Sequence, residues 1–92
     1  MQRAVTEAPY RHLARVRLRA PADHVRALVP PQVGRVEDDG DGWCVLLVGG
    51  DDLDSLALHV AGLGLEAQVV DPPQLRDAAR RLARRAAAMG EG

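Results

Sequence analysis

Arg15, Arg17 and Arg19 occupy alternate positions of one segment, which sets three guanidinium groups about 6–7 Å apart along one face, a spacing that suits phosphates or carboxylates. A second group, Arg76, Arg80 and Arg84 with Arg81 and Arg85, spreads over one half of a C-terminal helical pattern and could follow a nucleic-acid backbone. Both sets have a plainer reading as solvated faces, the first pairing with Glu37 and other acids on adjacent strands. The remaining reactive types point to no catalysis. Asp38, Asp39 and Asp41 begin like a calcium loop, but Gly40 and Gly42 interrupt them and no Glu follows at the twelfth position, so they read as a turn. His12, His24 and His59 lack metal-ligand spacing. The lone Cys44 sits in an apolar run as an inert thiol and excludes a disulfide framework, a CxxC redox pair or a thiolate cage. Ser55 and Thr6, the single hydroxyl residues of their kinds, have no base in their sequence context. No catalytic residue, metal ligand or cofactor is assigned.

The composition narrows the classes further. The 92 residues suit one domain, and 47% hydrophobic with 27% charged residues is a globular balance. All 12 basic residues are Arg, a bias that a GC-rich genome explains without selected chemistry. With no Phe and only Tyr10 and Trp43 as aromatics, there is no stacking platform of the kind an RNA-recognition sheet uses. Net charge is −1 but unevenly spread, with basic ends around an acidic middle, which favours docking between unlike patches over a uniform nucleic-acid footprint. No apolar run approaches a membrane span, and Met1–Tyr10 has no secretory h-region, so a cytoplasmic location is expected.

The elements that position these residues follow from periodicity. Residues 1–10 read as an N-terminal arm or linker, and residues 11–90 as one domain. His12–Arg19 alternates with Ala14, Val16 and Leu18 on one side, a half-buried strand. Pro21 opens a short helix that Pro30-Pro31 stops. Gln32–Glu37 and Trp43–Val48 form strands about the Asp38–Gly42 turn. Asp51 or Asp52 caps a helix whose apolar arc holds Leu53, Leu56, Ala57, Val60 and Leu63 and leaves Leu58 outside. Ala67–Val70 is a fourth strand, and Gln74–Met89 a last amphipathic helix.

The order predicts an α+β fold, a ferredoxin-like β-α-β-β-α-β two-layer sandwich with an additional C-terminal helix. The expected strand order is 4-1-3-2, with the first and third strands central and parallel. Two helices cover one face of such a sheet. The third strand is nonetheless apolar on both sides, with Trp43, Val45 and Leu47 opposite Cys44, Leu46 and Val48, and such strands are usually buried on both faces. The open face should therefore be covered by the C-terminal helix, a second copy or a neighbouring domain, or else hold a small ligand. Trp43, Val45, Leu47 and Leu58 are the candidate interface residues. Arg15, Arg17, Arg19, Arg76, Arg80 and Arg84 are the candidate anion or nucleic-acid contacts.

Among folds of this element order, acylphosphatase-like catalysis needs an Asn that the chain lacks, and metal chaperones need a CxxC. ACT-like small-molecule sensing stays open. From Ala14–Arg19, through Asp39-Gly40-Asp41-Gly42-Trp43-Cys44-Val45-Leu46-Leu47-Val48 and Gly62-Leu63-Gly64, the chain resembles the C-terminal extension (WCX) of bacterial WYL-domain transcriptional regulators. Its most telling stretch is Val70-Asp71-Pro72-Pro73-Gln74-Leu75-Arg76, similar to the family's Val-x-Pro-x-x-Leu-Arg entry to the last helix. The resemblance implies a non-enzymatic regulatory or assembly module that forms a homodimer or docks on the WYL and helix-turn-helix domains of a regulator. It does not imply direct DNA binding by this stretch, which holds neither the DNA-reading helix pair nor the WYL motif.

Overall fold

The computed structural model describes residues 11–91, so the segment read as an arm lies outside the described residues. The elements are β1 (His12–Leu18), α1 (Ala22–Leu28), β2 (Gly34–Asp38), β3 (Cys44–Gly50), α2 (Leu53–Ala61), β4 (Ala67–Asp71) and α3 (Pro73–Glu91). Pro21 stands just outside α1 as its cap residue rather than within its first turn. At the β2–β3 turn, Gly40, Asp41 and Gly42 all adopt positive φ, which explains the Asp and Gly composition there. Asp52 is the residue that caps α2, accepting from the Ser55 backbone N–H at 3.1 Å and the Ser55 hydroxyl at 2.8 Å.

The sheet runs β2-β3-β1-β4, which read from its other edge is the expected order. Its polarity corrects the sequence reading. β1 pairs antiparallel with both β3 and β4, and β2 antiparallel with β3. The reason is geometric: the α1 crossover returns β2 in the direction of β1, and the hairpin then reverses β3 against both of them. The central strands must therefore oppose one another.

One core lies between the sheet and the helices. Ala14, Val16 and Leu18 of β1, Val36 of β2, and Cys44, Leu46 and Val48 of β3 meet Val25 and Val29 from the α1 region and Leu56, Ala57 and Val60 from α2. Leu75 and Ala78 of α3 complete the same cluster, with Leu82 packed at its margin. Each of its fully buried aliphatic side chains contributes about 1.5–3 kcal/mol of transfer free energy. Helix α3 is thus a third member of the helical layer, seated beside α2 over β4. It does not cross to the other face of the sheet, one of the covers considered from sequence. Among the described residues no helix is long and apolar enough to cross a membrane.

Candidate functional site: the open sheet face

The register assembles the outer face row by row. Arg35 of β2, Leu47 of β3, Arg15 of β1 and Asp71 of β4 stand side by side in one row. Glu37, Val45, Arg17 and Gln68 form the next. Trp43 precedes Val45 on the same face and ends the apolar stripe at the hairpin turn. The stripe Trp43, Val45 and Leu47 is half-buried rather than fully wet, although no helix lies over it. Arg17 shields its turn end. Arg17 lays its guanidinium 4.5 Å from the centre of the Trp43 ring and donates from Nε to Asp39 Oδ2 at 2.9 Å. Long arginine stems can cover apolar surface while their charged ends stay hydrated. Beyond Leu47, Leu13 is 72% exposed and extends the apolar surface toward Gly49, its cross-strand partner.

The candidate anion contacts Arg15, Arg17 and Arg19 are unequal in the structure. Arg17 is engaged as described, and Arg19 pairs with Glu66 at 3.2 Å. Arg15 is exposed and makes no ion pair among the described residues. A shallow depression of about 660 Å³ opens beside it, lined by Arg35, Leu47, Gly49, Leu13 and Asp71 among others. The helical set is partly committed too. Arg76 donates from Nε and Nη2 to the Val69 carbonyl at 3.2 and 2.9 Å, and Arg80 pairs with Asp77 at 2.9 Å. Arg81 reaches across to Asp54 of α2 at 2.7 Å. Arg84 is exposed without an ion pair among the described residues. Exposed pairs of this kind are worth about 0–1 kcal/mol each, so they orient side chains more than they stabilise the fold.

Leu58 is 58% exposed, but it lies on α2, whose Leu56, Ala57 and Val60 face the core. It therefore points away from the sheet and shares no surface with Trp43, Val45 and Leu47. A separate apolar groove of about 320 Å³ runs between α2, β4 and α3, lined by Val60, Val69, Leu75, Leu82, Ala83 and Ala86 among others. Arg35 and Asp71 were absent from the sequence-level candidates although they complete the row around Leu47. The hairpin turn could have revealed Arg35, since counting back from it sets Arg35 opposite Leu47. Asp71 depends on a register shift between β1 and β4 that leaves no sequence signal.

Two groups among the described residues depart from their ordinary titration range. Burial, helped by the nearby Asp38 carboxylate, pushes the Cys44 thiol above its ordinary value. Hydrogen bonds from Ser55, side chain first and backbone second, hold the Asp52 carboxyl below the usual carboxylate range. Among the described residues, no group of three or more His, Cys, Asp or Glu side chains is placed to hold a metal ion. In comparison with known families, the chain matches the WCX domain over residues 10–87. No solved structure matches it.

Proposed function

The chain belongs to the WCX domain family, the regulatory C-terminal region of WYL-type regulators, and from that membership we propose that it acts as a non-enzymatic assembly module of ferredoxin-like type, docking through the open face of its sheet. The observation that carries the reading is the outward side of β3. Trp43, Val45 and Leu47 form an apolar stripe on a central strand, and the chain's own third helix lies in the opposite layer. Leu13 and Arg15, which makes no ion pair among the described residues, border that stripe, so a complementary surface would bury an apolar centre within a charged rim, the usual anatomy of a protein interface. The docking partner is a second copy of the domain or a neighbouring domain of a WYL-type regulator in the cytoplasm.

Trp43 is the single tryptophan and stands within the proposed contact, so its emission reports docking directly. Sedimentation velocity of the domain, alone and with the WYL part of a regulator, is expected to show association accompanied by a blue shift of that emission. Leu47→Asp places a carboxylate at the apolar centre and should weaken association at least tenfold, a cost of about 1.4 kcal/mol or more. Association that is unchanged in Leu47→Asp, or that leaves Trp43 emission unmoved, refutes docking through this face.

A further inference from the structure

The two edges of the sheet carry the same device. At the β2–β3 turn the Asp39 N–H donates to the Trp43 carbonyl at 3.0 Å. Bonded and non-bonded pairs alternate in an antiparallel ladder, so Glu37–Val45 and Arg35–Leu47 are bonded pairs and the backbone of Val36 turns to the free edge. On the opposite edge the Arg19 N–H donates to the Glu66 carbonyl at 2.9 Å. The same alternation makes Arg17–Gln68 a bonded pair and turns the backbone of Val69 outward. These are the carbonyls at the middle of the two edge strands, where an added strand would bond, and an arginine already occupies each. Arg26 of α1 donates from Nη2 to the Val36 carbonyl at 3.0 Å, and its Nη1 is held by Asp23 at 3.1 Å. Arg76 of α3 places both Nε and Nη2 on the Val69 carbonyl. Two neighbouring features assist. The outward Gly34 N–H is taken by the Pro30 carbonyl at 3.2 Å, and Pro72, directly after β4, has no N–H to offer.

We infer that Arg26 and Arg76 are edge guards that close both sides of the sheet to strand addition, so that this domain refuses an extended chain along an edge. Unpaired edge carbonyls and amides are a template for association, and charged side chains are one of the means by which sheets blunt them. A guanidinium suits the task better than an ammonium, because its planar fork can place two donors on one carbonyl, as Arg76 does. The inference goes beyond docking through the open face and does not depend on it: failure of Leu47→Asp to weaken association would leave the edges guarded.

The test compares the wild-type domain with Arg26→Ala, Arg76→Ala and the double variant, with Arg80→Ala and Arg84→Ala as charge controls on the same helix. Equal parts of carbon-13-labelled and unlabelled protein are mixed, and the amide I band is followed by infrared spectroscopy beside sedimentation velocity. The double variant, folded by circular dichroism, should develop an intermolecular strand band and concentration-dependent species, and Arg→Lys at both positions should develop them more weakly. Wild type and the two controls should show neither. A folded double variant without the band, or a wild-type domain that already pairs through its edges, overturns the inference. Should the alanine variants not fold, wild-type NMR decides. The Arg76 Nε–H should exchange with water at least tenfold more slowly than that of Arg84, and equal rates overturn the assignment.

Discussion

Leu75→Ala isolates what joins α3 to the rest of the domain. Leu75 is 1% exposed and sits in the common core, on the first turns of a helix whose distal residue Met89 is 81% exposed. Truncation removes three carbons, worth about 2.4 kcal/mol at about 0.8 kcal/mol per methylene, before any cavity cost. Buried Leu→Ala changes span about 2.7–5 kcal/mol, with the lower end where neighbours can relax into the space. Here the groove between α2 and α3 adjoins the site, so a loss of about 3 kcal/mol is expected. A domain of this size holds roughly 5–14 kcal/mol in total, and the loss should lower its melting temperature by about 12–24 °C. The half-buried Leu82→Ala should cost about 1 kcal/mol, and Met89→Ala should fall within about 0.5 kcal/mol of wild type. Urea titrations followed by circular dichroism measure all three. A Leu75→Ala loss below about 1 kcal/mol, or a Met89→Ala loss as large, would refute the docking of α3 by its first turns.

Two predictions concern pH. Because burial raises the Cys44 thiol, the folded state resists its ionisation; stability should hold below the ordinary thiol value near 9.0 and fall as pH rises above it, a fall that Cys44→Ala removes in urea titrations. The Asp52 cap behaves in the opposite sense. Its lowered value means that its contribution is present above the usual carboxylate range and is lost as pH falls through the lowered value, so Asp52→Asn should lessen the acid sensitivity of α2 followed by amide exchange, and an unchanged acid profile would contradict the cap.

The local elements were legible because backbone periodicity and turn chemistry act over short spans. Alternation in His12–Arg19 correctly separated Ala14, Val16 and Leu18 from the outward arginines. The Asp and Gly composition of residues 38–42 marked the hairpin, and the arc Leu56, Ala57 and Val60 faced the core as read. Strand ends were less legible: β2 begins at Gly34 rather than Gln32, and β3 runs on to Gly50. Gly50 can sit there because a Cβ would come within 3.0 Å of the Leu56 side chain, a close approach of strand and helix invisible to strand propensity. The surface that Leu58 belongs to depends on tertiary structure in a similar way. Its departure from the apolar arc was correct, but which surface that departure faced depended on where α2 sat.

Thus the chain's own order of residues settled which segments become helix or strand, which side of β1 is apolar, that β3 is apolar on both sides, and membership of the WCX family over residues 10–87. Those are properties of neighbours along the backbone, carried by a two-residue or 3.6-residue period. Tertiary structure decided the rest: the placement of α3 in the helical layer, and which arginines are engaged by partners among the described residues. Arg26 and Arg76 show the difference most plainly, for each looks like a solvated helix residue until folding brings an outward carbonyl of the adjoining strand within 3.0 Å or less of its guanidinium. A hydrogen bond is made by positions in space, and only the assembled sheet sets which carbonyls remain to be claimed.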